Sequence, residues 1–235
     1  MGWWWWCGGA ALVCVLIARI FLAPKRDGTR ERAPGSADVL VVVGSGGHTT
    51  EILRLVGSLS ASYTPRHYVI ADTDRMSEDK ICAFETARSK EHSEPQIPST
   101  CSYKGTWVFT GWQQSCVTYT IHRVPRSREV RQSWTSSVVS TLHALLYSIP
   151  LVFRLKPDMV LCNGPGTCIP LCISALLLGI TGMKKVLIVY IESICRVETL
   201  SLSGKILYYL SDYFFVQWPT LQEKYPKAVF LGRLV

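Results

Sequence analysis

Apolar, strand-like runs recur along the chain at Val39–Val43, His67–Ala71, Val117–Val124, Met159–Cys162, Val186–Ile191, Phe214–Gln217 and Ala228–Leu231. The first of them, Val39–Val43, is short, β-branched and unbroken, which suits a strand buried on both faces of a parallel sheet. Between most of them the apolar positions change to helical spacing. Ile52, Leu55, Val56 and Leu59 follow the first run, and Val138, Leu142, Leu145, Leu146 and Ile149 precede the fourth. Strand alternating with helix predicts an α/β domain built on a doubly wound parallel sheet. The stretch Ile169–Ile180 is apolar nearly throughout but too short to span a bilayer, and a buried helix is expected there. A buried helix is also expected around Leu142 to Ile149, with lipid contact as the alternative.

The N-terminus departs from this alternation. Trp3 to Ala23 is 21 residues with a single charge, Arg19, long enough to cross a hydrocarbon core of ~30 Å as a helix. No basic residue precedes it and no small-residue cleavage site closes it, which favours a transmembrane anchor over a cleaved signal peptide. Tryptophans suit one membrane interface, and Lys25, Arg26, Arg30 and Arg32 crowd the other, placing everything after Ala23 in the cytosol. An N-myristoylation signal fails at position 6, where Trp6 replaces the required hydroxyl residue. The expected organisation is a tip and anchor over 1–24, a linker over 25–37 and one domain over 38–235. Residues 89–115, where neither period holds for long, read either as an irregular insertion or as a segment that the mature fold does not use.

Composition changes this picture in three respects. The region after the anchor is about 200 residues long, enough for one core and short for two full domains. The net charge of +8 suits anionic lipid, a phosphorylated ligand or nucleic acid. A nucleic-acid reader needs basic residues interleaved with aromatics on one face, and only the bare charge is present, so beside an anchor lipid and phosphate come first. Arg123, Arg126, Arg128 and Arg131 are candidates for membrane phosphates, or for a solvated basic face. Nine cysteines, odd in number and without paired metal spacings, read as small buried hydrophobes in a reducing compartment. No metal and no cofactor is expected.

Ligands of open α/β sheets bind beyond the carboxyl ends of the strands, which directs attention to three loops. In the first, Gly44, Ser45, Gly46, Gly47 and Thr49 combine backbone freedom, hydroxyl donors and the start of a helix, a combination suited to phosphate. His48 lies in that turn. An imidazole there can take a proton from an attacking hydroxyl, or it can cap or pack the helix. The second loop, Asn163-Gly164-Pro165-Gly166-Thr167, again joins a strand to a helix, and the two loops could grip one diphosphate from both sides. The third begins with Glu192-Ser193, where the carboxylate can accept from a sugar hydroxyl or pair with Arg196.

A membrane-anchored, NAD(P)-dependent oxidoreductase is a rival, because Asp72 or Asp74 ends the second run where a ribose-binding acid belongs. Against it, Thr49 stands where the third glycine of the fingerprint is needed and no Tyr-x-x-x-Lys pair occurs; a P-loop is excluded for want of its lysine. The stretches "GSGGHTTEIL", "NGPGT" and "IESICRVETLS" together resemble the membrane-anchor subunits of the UDP-N-acetylglucosamine transferase that acts early in asparagine-linked glycosylation. The resemblance runs from Val39 to Val235. The chain is also similar to the N-terminal half of the bacterial lipid-linked N-acetylglucosaminyltransferase of peptidoglycan synthesis, which has the two-domain GT-B fold.

The resemblance implies one Rossmann-like, acceptor-binding GT-B half, completed by a soluble subunit that binds UDP-N-acetylglucosamine. The acceptor would be N-acetylglucosaminyl-diphosphodolichol, and the location the cytosolic face of the endoplasmic reticulum membrane or the continuous nuclear envelope. It further implies that Gly44, Ser45, Gly46, Gly47, Thr49, Gly164, Pro165, Gly166 and Thr167 face the acceptor diphosphate. His48 orients or deprotonates the acceptor 4-hydroxyl, Glu192 contributes to catalysis, and Leu231, Gly232, Arg233, Leu234 and Val235 dock the partner. A recruitment scaffold without catalytic residues is the alternative within that family. The 89–115 segment departs from the family pattern.

Overall fold

The computed structural model describes residues 35–91, 118–128 and 132–235. The expected anchor, most of the linker, the expected insertion from residue 92 onward and Arg131 lie outside the described residues. The described chain runs β1 (Val39–Val42), α1 (Gly47–Gly57), β2 (Arg66–Ala71), α2 (Arg75–Glu91), β3 (Tyr119–Val124), α3 (Trp134–Leu155), β4 (Met159–Asn163), α4 (Cys168–Ile180), β5 (Leu187–Ile191), α5 (Leu202–Leu210), β6 (Tyr213–Val216), α6 (Pro219–Lys224) and β7 (Val229–Phe230). All seven expected strands are present, in one parallel sheet of order β3-β2-β1-β4-β5-β6-β7. This is the Rossmann-like arrangement. Residues 89–91, assigned to the expected insertion, instead end α2.

Alternate residues of each strand face opposite sides of the sheet and so feed two separate cores. Val39, Val41, Val43, Tyr68, Ile70, Leu161 and Val189 pack with Ile52, Leu55 and Val56 of α1 and Ile81 of α2. Leu40, Val42, Val69, Val160, Ile188, Tyr190 and Phe214 pack on the other side with Val152 of α3 and with α4, α5 and α6. Where both faces are covered, as at β1, β4 and β5, the strands appear in the sequence as continuous apolar runs, whereas the edge strand β3 is half-buried and carries Thr120, His122 and Arg123.

Between β2 and α2 the first core contains a charged pair. Arg66 Nε and an Arg66 terminal nitrogen donate to the two Glu85 oxygens at 2.8 and 2.7 Å, and the Tyr68 hydroxyl also donates to Glu85. Arg66 is 5% and Glu85 1% exposed. Matched fork geometry is what makes such a buried pair tolerable.

α3 corrects the expectation of a buried helix. Over its first four turns its inward residues are small: Ser137, Ala144 and Ser148 are buried, with the Ser148 hydroxyl donating to Ala144 O at 2.8 Å, and only towards its end does a larger residue, Val152, enter the core. Val138, Val139, Leu142, Leu146 and Tyr147 are exposed. Small residues allow α3 to lie close against its neighbours, so the large apolar side chains are left on the outer surface. By length and composition Thr135–Leu155 could cross a membrane, although here it is a helix of the α/β domain. The helix Cys168–Ile180 is buried on its inner side as expected.

Arg123 is likewise corrected from a membrane-phosphate candidate. It donates to Asp72 O at 2.9 Å and to the Glu78 carboxylate, tying the carboxyl end of β3 to α2. Among the described residues the cysteines are free, with Cys162, Cys168 and Cys172 buried as expected.

Candidate active site

The order of the sheet reverses at β1 and β4, which are hydrogen-bonded neighbours. Their carboxyl ends release the two glycine loops side by side, the geometry at which open α/β sheets bind ligands. The loops touch. A Cβ on Gly44 would lie 2.8 Å from His48 Cβ and 2.9 Å from Pro165 Cγ. One on Gly164 would lie 2.6 Å from His48 Cε1 and 2.9 Å from its Nδ1, at a φ of +71° that glycine adopts freely. The His48 ring therefore rests directly on the backbone of the second loop.

An open cleft of about 390 Å³ lies over this junction, lined by Gly47, His48, Glu51, Gly164, Glu192, Ser193, Cys195, Arg196 and Ser201. The starts of α1 and α4 carry no acidic residue in their first turns and no side-chain cap, leaving the positive ends of both helices uncompensated. Arg196 adds an exposed cation at the rim.

Of the expected residues, Gly47, His48, Gly164 and Glu192 line the cleft, and the rest of the two glycine loops lies beside or behind it. Ser45, Gly46 and Gly47 are exposed on the first loop. Gly46, with a φ of +70°, turns the chain into α1. Thr49 is fully buried: its hydroxyl donates to Gly44 O at 2.6 Å and lies 2.8 Å from Ser77 Oγ. It shapes the loop from inside. In the second loop Gly164, Pro165 and Gly166 are half-buried, and the buried Thr167 Oγ1 has no hydrogen-bond partner. Asp74, one of the two acids on which the oxidoreductase reading relied, caps α2, while Asp72 is exposed. Asp74 accepts from Ser77 N at 3.1 Å and Ser77 Oγ at 2.6 Å and is buried.

Glu192 borders the cleft but is fully buried. Its oxygens accept from Ser193 N at 3.1 Å and from Ser201 N and Oγ, both at 3.0 Å. Burial raises its carboxyl above the ordinary range, opposed by those donors from Ser201 and Ser193. A Cβ on Gly204 would fall 2.1 Å from Glu192 Oε2, so the carboxylate sits against the start of α5 where only glycine leaves room. Glu192 and Ser201 thus close the third loop on itself. No Glu192–Arg196 hydrogen bond or ion pair forms.

Two residues beside His48 were given no role by the sequence: Glu51, and Asn163, which appeared only as the first residue of the second loop. Glu51 follows His48 by one helical turn and accepts from Ser193 Oγ at 2.9 Å. Asn163, at the end of β4, is fully buried with its Oδ1 3.1 Å from His48 Nδ1. The i,i+3 spacing of His48 and Glu51 was visible in the sequence; the approach of Asn163 depended on the β1–β4 pairing.

The profile described as "Oligosaccharide biosynthesis protein Alg14 like" matches residues 39–234. The chain belongs to this Alg14-like family. It is 59% identical over 225 residues to the Homo sapiens protein named UDP-N-acetylglucosamine transferase subunit ALG14, covering 96% of this chain and 94% of that one. It is 36% identical to the Yarrowia lipolytica protein of the same name, covering 96% and 95%. Among solved structures, MurG of Acinetobacter baumannii superposes with a TM-score of 0.50 at 15% identity, over 84% of this chain and 45% of that one. That likeness concerns the fold, a single Rossmann-like unit of the GT-B type, and the chain spans less than half of the MurG chain.

In this Alg14-like chain the C-terminal residues do not hang free. Leu234 and Val235 are half-buried against the core on the sheet face that α1 and α2 cover, and Leu234 N donates to Gln217 Oε1 at 2.8 Å. Arg233 lies over the Trp218 ring at 4.5 Å, and Trp218 Nε1 donates to Ile194 O in the third loop at 2.7 Å. Leu231 is exposed, and Gly232 has a φ of +91°. The tail is thereby linked, through Trp218, to the loop that walls the cleft.

Proposed function

We propose that this chain is the membrane-anchoring, acceptor-binding subunit of a heteromeric N-acetylglucosaminyltransferase. In this reading it transfers N-acetylglucosamine from UDP-N-acetylglucosamine to N-acetylglucosaminyl-diphosphodolichol at the cytosolic face of the endoplasmic reticulum. The observation that carries it is the convergence of both glycine loops and His48 on one cleft, in a chain whose relatives are named as subunits of a UDP-N-acetylglucosamine transferase.

The acceptor diphosphate lies against the two uncompensated helix starts and Arg196, with Ser45 and the backbone of Gly46, Gly47, Gly164 and Gly166 around it. His48 takes the proton of the acceptor 4-hydroxyl as that oxygen attacks C1 of the donor sugar. The bond from C1 to UDP breaks, its electron pair leaves on the nucleotide, and configuration at C1 inverts. Glu192 maintains the third loop, and Pro165, Thr49 and Thr167 shape the two glycine loops.

A single Rossmann-like unit supplies one wall of such a site, so the donor-binding wall comes from a soluble partner and the chain is inactive alone. The tail Leu231–Val235, coupled to the cleft wall through Trp218, is the docking segment. The exposed apolar face of α3, which starts at the carboxyl end of the sheet near the cleft, rests on the membrane that holds the lipid acceptor.

The test is transfer to the dolichol-linked acceptor by the chain reconstituted with its soluble donor-binding subunit, wild type against His48→Ala, with complex formation monitored. Transfer reduced by about 10²-fold or more from an intact complex is the expected result for loss of a general base. Undiminished transfer would reduce the chain to a recruitment scaffold.

A further inference from the structure

His48 Nδ1 faces two oxygen acceptors that belong to different parts of the chain. Asn163 Oδ1 lies 3.1 Å away and Glu51 Oε2 3.8 Å away. The orientation of the Asn163 amide is set independently, because its Nδ2 donates to Ile191 O, a group that can only accept, at 3.4 Å. The oxygen of the amide is thereby turned towards the ring, and an amide oxygen facing an imidazole nitrogen requires the proton to reside on that nitrogen. Nε2 then carries the lone pair. His48 is 35% exposed and makes no further hydrogen bond, so that lone pair is available to a ligand in the cleft.

Glu51 adds charge where Asn163 adds direction. One of its oxygens is held by Ser193, while Oε2 is buried without a hydrogen-bond partner beside the ring. A buried, unsatisfied carboxylate oxygen is costly unless a cation forms next to it. An imidazolium at His48 is such a cation. The Gly164 backbone packed under the ring prevents rotation away from the pair.

We propose that Asn163 and Glu51 form the positioning pair of His48: they keep its proton on Nδ1, leave Nε2 as the proton acceptor of the cleft, and stabilise the ring after it has accepted. The catalytic purpose of this arrangement rests on the reading of His48 as the base; the arrangement itself does not. Neither residue touches the reacting atoms. Their part resembles that of the groups behind other catalytic or metal-binding histidines, which set tautomer and orientation through the remote nitrogen.

The decisive measurement is long-range ¹H–¹⁵N correlation of the full chain labelled at histidine, with the His48 signals assigned by their loss in His48→Gln. Wild type is expected to show a protonated Nδ1 and an unprotonated Nε2, a preference kept in Asn163→Asp and lost in the double variant Asn163→Ala/Glu51→Ala. A proton on Nε2 in the wild type, or an unchanged tautomer in the double variant, overturns the proposal. In the reconstituted complex, Asn163→Ala and Glu51→Gln are each expected to lower kcat by about 10- to 100-fold with the acceptor KM unchanged. Full kcat in Glu51→Gln would remove Glu51 from the pair, and parallel changes in KM and complex formation would mark a merely structural role. If His48→Ala transfers normally while the tautomer is as expected, the base assignment fails and the positioning of the ring stands.

Discussion

Gly164 is the position where a single methyl group separates loop architecture from site chemistry. Its φ of +71° is one that alanine adopts at a cost of about 1–2 kcal/mol, and the new Cβ would meet His48 Cε1 at 2.6 Å. Gly164→Ala should therefore fold with a slightly lowered Tm and lose transfer by about 10²-fold, an effect of misplacing the ring by about 1 Å. Comparing thermal melting with transfer by the reconstituted complex separates the two consequences. The glycine itself was legible in "NGPGT" as a loop residue. Its contact with an imidazole more than a hundred residues earlier in the chain was not, because that contact exists only once β1 and β4 are paired.

At the scale of elements, the Arg66–Glu85 pair fastens α2 to β2 inside an otherwise apolar layer. Removing one partner leaves the other charge buried and unmatched, so Glu85→Ala should destabilise the fold by about 3–5 kcal/mol, read as a fall in the urea midpoint of the purified chain. The central strands β1, β4 and β5 were recognisable because burial on both faces writes an uninterrupted apolar run. Helices write their exposure less directly. In α3 the apolar period is genuine, yet Ser137, Ala144 and Ser148 face inward and Leu142 and Leu146 outward. Periodicity assigns the larger apolar stripe to the core; packing chose the smaller residues because they permit closer approach of neighbouring helices.

For the whole molecule, that inverted helix and the cleft belong to one surface problem. On the proposed function, a lipid acceptor would present its diphosphate to the glycine loops while its chain stays in the bilayer, and α3 begins at the same end of the sheet as the cleft. Leu142→Glu together with Leu146→Glu should leave Tm unchanged, since both side chains are exposed. Transfer to an acceptor embedded in vesicles should fall about tenfold or more, because burying one leucine is worth about 1.5–3 kcal/mol. Transfer to a short-chain, water-soluble acceptor should be retained, and equal loss with both acceptors would count against a membrane-facing α3.

Sequence by itself determined the parallel sheet, its seven strands and the two glycine loops, since these follow from local rules: apolar runs where both faces are buried, and glycine where the chain turns sharply at a strand end. It also singled out His48 and Glu192 as residues of interest. Tertiary structure decided what each of them does. Strand order placed Asn163 and Gly164 against His48, folded Glu192 onto Ser201 and the start of α5, spent Asp74 and Arg123 on holding α2, and turned the apolar face of α3 outward. These outcomes depend on distances between segments far apart in the chain, and local residue patterns carry no record of such distances until the sheet has been assembled.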